Sequence, residues 1–218
     1  DPQLEFKLFA PRERDHEYQL EHFEGRWILR TNWQAKNFRI VEVSPGDETR
    51  RDRWRDLVPH NTQGFVHGFD LFRRFMAVEE RAGGLRTIRI RPWKAPAVVS
   101  ARGLRETFIT ADQPTYSMAL GTNEEIDTDI VRYVYTSLTT PRTTFDLDTR
   151  SGTKTLLKRE PVLGDFQPEN YASEYLWIAA RDGTKVPVSL VYRNSTPRDG
   201  TAPLLQYGYG SYGLSQEP

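Results

Sequence analysis

Phe75-Met76-Ala77-Val78-Glu79-Glu80 and Leu85-Arg86-Thr87-Ile88-Arg89-Ile90, separated by Gly83-Gly84, read as two β-type runs with a turn between them. The same pair stands upstream, as Trp27-Ile28-Leu29-Arg30-Thr31 and Phe38-Arg39-Ile40-Val41-Glu42-Val43. It stands again downstream, as Arg132-Tyr133-Val134-Tyr135-Thr136-Ser137 and Thr144-Phe145-Asp146-Leu147-Asp148. Trp27, Phe75 and Tyr133 are spaced 48 and 58 residues apart, and Phe38, Arg86 and Phe145 are spaced 48 and 59. Two landmarks that move together indicate a repeat. A period near 40–50 residues with several short strands per unit is the pattern of a β-propeller blade. Such a sheet cannot bury both faces alone and stacks on its neighbours. About three units are present, so the expected fold is mostly β, a partial propeller with an unfinished edge. A β-sandwich with irregular hairpins is the alternative that period alone leaves open.

Further strands fit around these landmarks. Leu4 to Ala10 and Tyr18 to His22 precede the first pair, and Thr107 to Thr110 and Thr115 to Leu120 precede the third. The character of the chain changes near Pro161-Val162-Leu163-Gly164-Asp165-Phe166-Gln167-Pro168. Glu174 to Ala180 and Lys185 to Tyr192 then flank Arg181-Asp182-Gly183-Thr184, and Asp-Gly between apolar runs is a strong hairpin signal. Pro187 has no N–H to donate and belongs at an edge. After a polar loop, Pro203-Leu204-Leu205-Gln206-Tyr207 reads as a buried strand that runs into Gly208-Tyr209-Gly210-Ser211-Tyr212-Gly213. The chain therefore reads as two stretches that divide near Pro168.

Composition narrows the function. The 218 residues carry 30 Lys+Arg and 30 Asp+Glu, and this zero balance argues against a general nucleic-acid binder or a polybasic membrane-surface protein. The absence of Cys excludes disulfides, a thiol nucleophile and Cys-ligated metal. No apolar run approaches the length of a membrane helix, and Asp1-Pro2-Gln3-Leu4 shows neither a leader pattern nor an initiating Met. A segment of a longer chain is the expected reading. The 11 Phe, 10 Tyr and 5 Trp are enough for a packed core.

Most candidate chemistry dissolves on inspection. His16-Glu17-Tyr18-Gln19-Leu20 starts like a zinc-protease helix but has Leu20 where the second His is required. His16, His22, His60 and His67 read as structural or surface residues. Ser211 lacks the Gly two positions before it that a nucleophile elbow demands, and no other Ser satisfies that pattern. The glycines of 208–213 are not followed by Lys-Ser/Thr, so a phosphate cradle is not indicated. Arg50 to Asp56 reads as a solvated loop or blade rim, and Glu124 to Asp129 as a surface loop without calcium-loop spacing.

Ala180-Arg181-Asp182-Gly183-Thr184-Lys185-Val186-Pro187-Val188-Ser189-Leu190-Val191-Tyr192, followed by Pro203-Leu204-Leu205-Gln206-Tyr207-Gly208-Tyr209-Gly210-Ser211-Tyr212-Gly213, resembles the prolyl oligopeptidase family of serine peptidases. The nearer match is its oligopeptidase B branch, which cleaves after Arg and Lys. Asp15-His16-Glu17-Tyr18, Thr31-Asn32, Lys36-Asn37-Phe38, Val78-Glu79-Glu80-Arg81 and Ser137-Leu138-Thr139-Thr140-Pro141 resemble that branch too. The resemblance implies a propeller joined to an α/β-hydrolase domain whose first strands begin after Pro168. It also implies a Ser-Asp-His triad downstream of Pro218. Tyr209 matches the family's oxyanion-stabilising Tyr, Tyr212 a residue of the specificity pocket, and Glu217 an acidic residue that contacts substrate Arg. The implied parent is a cytosolic oligopeptidase without cofactor, acting on short basic peptides. The chain alone should be inactive and should need the rest of its parent as partner. The competing expectation is a non-enzymatic propeller or sandwich module that binds peptides or proteins.

Overall fold

The structure, a computed structural model, describes residue 5, residues 7–93 and residues 106–218. Two compact units divide it, Asp1–Phe69 and Asp70–Pro218. Among the described residues it holds three four-stranded sheets and one hairpin, each sheet ordered as the chain runs. The first sheet is β1 (Tyr18–Phe23), β2 (Arg26–Thr31), β3 (Arg39–Val43) and β4 (Arg55–Val58). The second is β5 (Gly64–Leu71), β6 (Phe75–Ala82), β7 (Leu85–Pro92) and β8 (Thr107–Phe108). The third is β9 (Ser117–Leu120), β10 (Ile130–Thr136), β11 (Thr143–Asp148) and β12 (Lys154–Arg159). The hairpin pairs β13 (Tyr171–Ala179) with β14 (Lys185–Arg193). These four-stranded meanders are propeller blades, and the repeated run-pairs of the sequence are their two central strands.

In the first unit, alternation sorts the side chains of β2. Leu29 and Trp27 face the same way as their cross-strand partners Val41 and Val43. Leu29, Val41, Val43 and Trp54 form a buried cluster against which Phe9, Leu20, Trp27 and Trp33 pack. Ile28 and Ile40 point to the opposite face and are fully buried there.

In the second unit, the second and third sheets share one core. Phe72, Phe75, Ala77, Ile88, Ile90 and Ile109 meet Met118, Val131, Tyr133, Tyr135 and Leu147. The pairs Ala77↔Ile90 in one sheet and Val131↔Leu147 in the other set that face. Tyr133 stacks on Phe145 at 5.5 Å between centroids. Burial holds the Tyr133 hydroxyl in its neutral form and pushes its pKa up to about 12, and burial raises Tyr135 as well. Glu79 also points into this core. Its carboxylate accepts the Leu120 N–H at 2.9 Å and pairs with Arg86, so the buried charge is compensated.

Four details depart from the sequence reading. Thr107–Phe108 pairs with β7, and the Ile109 N–H bonds to the Ile88 carbonyl, so this strand closes the second blade instead of opening the third. Arg50 to Asp56 is not all loop, because β4 starts at Arg55. Pro203 to Tyr207 forms no strand and lies exposed. An apolar strand of that kind needs a sheet neighbour and covered faces, and no described strand pairs with it. In the proposed strand from Leu4 to Ala10, Leu4 and Phe6 lie outside the described residues, and residues 7–10 are not in a strand.

Candidate active-site segment

The β13–β14 hairpin closes as its Asp-Gly sequence predicts. The Gly183 N–H bonds to the Ala180 carbonyl at 3.0 Å, the Ala180 N–H to Thr184 at 2.8 Å, and Asp182 Oδ1 accepts the Thr184 N–H at 2.9 Å. Gly183 takes φ +85°, where a side chain would be strained. Pro187 sits opposite Trp177 in a strand that has one neighbour among the described residues, which suits its missing donor.

This hairpin is tied to the blades of its own unit through side chains. The Tyr175 hydroxyl donates to the Gly83 carbonyl at 2.6 Å. Ser189 and Thr115 share a hydroxyl–hydroxyl bond of 2.5 Å, and the Ser173 hydroxyl donates to Gln113 Oε1 at 3.1 Å. Gly84 is where the two parts come closest. Its φ is +86°, and a Cβ there would run into the Tyr175 hydroxyl and lie 3.1 Å from Pro187 Cγ. Glycine is required at this turn on both counts.

Beyond the hairpin the chain runs without strands to Pro218. Tyr209 is half exposed. Tyr212 is 95% exposed and adopts φ +56° in a turn in which the Leu214 N–H bonds to the Ser211 carbonyl. Glu217 differs from both tyrosines, because its partly buried carboxylate pairs with the guanidinium of Arg81, near the end of β6. The structure therefore brings Glu217 to a blade residue and leaves the two tyrosines open. Sequence reasoning missed Arg81 as a partner, since 136 residues separate the two.

Among the remaining candidates, His16, His22 and the acidic run have structural partners. His16 Nε2 lies 2.9 Å from Thr31 Oγ1, and Arg51 lies 3.3 Å from His16 Nδ1. Burial and the Arg51 charge both lower the pKa of His16. His22 packs on Trp27 at 4.8 Å. No group of three metal-ligating side chains gathers among the described residues. In the acidic run 124–129, Asp127 pairs with Arg73 and Asp129 pairs with Arg74 and Arg150. No helix among the described residues is long and apolar enough to cross a membrane.

Comparison with known proteins adds a family. Residues 1–160 match the family described as prolyl oligopeptidase, N-terminal β-propeller domain. The chain is 47% identical over 215 residues to dipeptidyl aminopeptidase BI of Pseudoxanthomonas mexicana, covering 98% of this chain and 28% of that protein. It is 33% identical over 201 residues to protease 2 of Moraxella lacunata, covering 92% and 27%. Among solved structures it is similar to oligopeptidase B from Trypanosoma brucei with covalently bound antipain. That match has 30% identity and a TM-score of 0.81, and covers 96% of this chain and 30% of the other. Oligopeptidase B from Leishmania major matches at 28% identity and the same TM-score, covering 96% and 29%. The chain thus spans less than a third of the length of each of these relatives. With the blade repeat seen in both sequence and strand order, and the family match running through all three sheets, the chain belongs to the prolyl oligopeptidase family of peptidases.

Proposed function

We propose that this chain is part of a cytosolic serine oligopeptidase that hydrolyses short peptides after Arg or Lys. Residues 1–168 would be blades that restrict access to the active site. Residues 169–218 would open the α/β-hydrolase domain. The reaction is acyl transfer through a seryl intermediate and calls for no cofactor. The triad would lie in the part of the relatives' length that this chain does not cover. The observation that carries the proposal is Tyr209: a half-exposed phenol flanked by Gly208 and Gly210, just past a hairpin tied to the blades. An O–H free to turn toward a developing oxyanion stabilises the transition state more than the ground state. Tyr212, the most exposed aromatic of this segment, is free to line a substrate pocket. Glu217 already binds a guanidinium, that of Arg81, and supports the basic preference.

A second reading is favoured by the 47% identity to dipeptidyl aminopeptidase BI. In it the cation that Glu217 meets is a peptide's α-ammonium instead of a side chain. Chromogenic amides ending in Arg, with and without an N-terminal cap, separate the two in the full-length parent. Turnover of both supports the oligopeptidase, and turnover of the uncapped amide alone supports the aminopeptidase. A preference for Pro over Arg before the scissile bond would contradict the basic specificity. No turnover of any peptide amide would return the chain to the class of binding modules.

A further inference from the structure

The Arg81–Glu217 pair bears on how that specificity is set. Arg81 lies one residue before the end of β6, at the Gly83-Gly84 turn on which Tyr175 and Pro187 rest. Its side chain is 18% exposed and that of Glu217 is 26% exposed, so water screens the pair only in part. Arg81 Nε is buried and has no hydrogen-bond partner among the described residues. The Glu217 carboxylate is therefore the anchor of this guanidinium. Tyr175 lies close enough to both that each charge acts on its hydroxyl.

A carboxylate already paired with one cation offers little net charge to a second. An arriving substrate cation also meets the positive charge of Arg81 at close range. We propose that Arg81 is a specificity-determining residue: it occupies Glu217 as an internal competitor, and a cationic substrate group must displace it to be recognised. This rests on the proposal that Glu217 meets the substrate, and it adds the blade residue that tunes the encounter. The competing cation is either a basic side chain or an α-ammonium, and the substrate set below distinguishes them.

The test uses the full-length parent and three peptide amides of one length: a capped one with Arg, a capped one with citrulline, and an uncapped one with citrulline. Arg81→Met should lower KM for the cationic substrate by about fivefold, the size of a partly screened ion pair. The capped citrulline amide should be unaffected, and kcat should hardly move. A gain confined to the Arg amide identifies the side chain, and one confined to the uncapped citrulline amide identifies the α-ammonium. Arg81→Lys, whose compact ammonium holds a carboxylate less firmly than the planar fork, should shift KM the same way by less. It serves if the Met variant does not fold. In a Glu217→Gln background, Arg81→Met should change nothing. If Glu217→Gln alone leaves the cationic-to-neutral KM ratio unchanged, both the substrate role of Glu217 and the role of Arg81 are overturned. If Glu217→Gln alters that ratio but the Arg81 variants leave KM unchanged or raise it, only the competitor role falls.

Discussion

Tyr133 and Tyr207 are the same residue in opposite circumstances. Tyr133 stands in a central blade strand at 2% exposure, and Tyr207 stands in the C-terminal segment at 74%. Their local sequences are comparably apolar: Ile130 to Thr136 around the first, Pro203 to Tyr207 before the second. The difference lies in neighbours. Tyr133 has Leu120 and Phe145 as cross-strand partners and a second sheet across the core. Leu204, Leu205 and Tyr207 have no described strand beside them and stay exposed. Apolar sequence specifies a buried strand only where partners exist to bury it, and among the described residues the blades have such partners while the last segment has none.

Substitutions should separate the two regions sharply. Phe75→Ala, at the fully buried start of β6, should cost about 4 kcal/mol through lost transfer energy and the cavity left behind; urea unfolding would read this as a lower midpoint at unchanged slope. The Tyr133 phenol makes a pH prediction. Its folded pKa is about 12 against an ordinary 10, so the folded state holds the proton more tightly than the unfolded chain. Its contribution is complete below pH 10 and is lost as the pH rises toward 12, at up to about 1.4 kcal/mol per pH unit. Alkaline unfolding of Tyr133→Phe should show a shallower fall, and identical alkaline profiles would contradict it.

Where the hairpin meets the blades the effect should be smaller. Gly84→Ala adds a methyl at φ +86° against Tyr175 and Pro187, and should cost about 1–3 kcal/mol. Thermal unfolding measures that loss, and truncating Tyr175 in the same chain should recover part of it. The smallest effect belongs to the last segment. Leu205→Ser, at a residue 93% exposed, should move the stability of this chain by no more than about 0.5 kcal/mol. A loss like that of Phe75→Ala would show that the segment is packed after all.

The same contrast explains what was legible in the sequence. Central strands such as Phe75 to Val78 are buried on both faces, so their apolar runs stand out and repeat at blade spacing. Outer strands carry no such signal. Lys154–Arg159 is exposed at all six positions, and Arg55 to Asp56 hides within a mixed-charge run. β5 mixes glycine, histidine and aspartate irregularly with its apolar residues, and no landmark marked it. The hairpin was legible because its turn chemistry is local. Of the candidate site, Tyr209, Tyr212 and Glu217 came from a motif, whereas Arg81 as the partner of Glu217 emerges only when the fold brings distant residues together.

The central claim is that Tyr209 belongs to catalysis and not to packing. The most direct measurement is kcat for an Arg-ended amide with the full-length parent and its Tyr209→Phe variant, both checked for equal thermal stability. Loss of one oxyanion donor should lower kcat by about a hundredfold or more and leave KM and the unfolding midpoint in place. Unchanged kcat, or a fall in activity that tracks a fall in stability, would contradict the account.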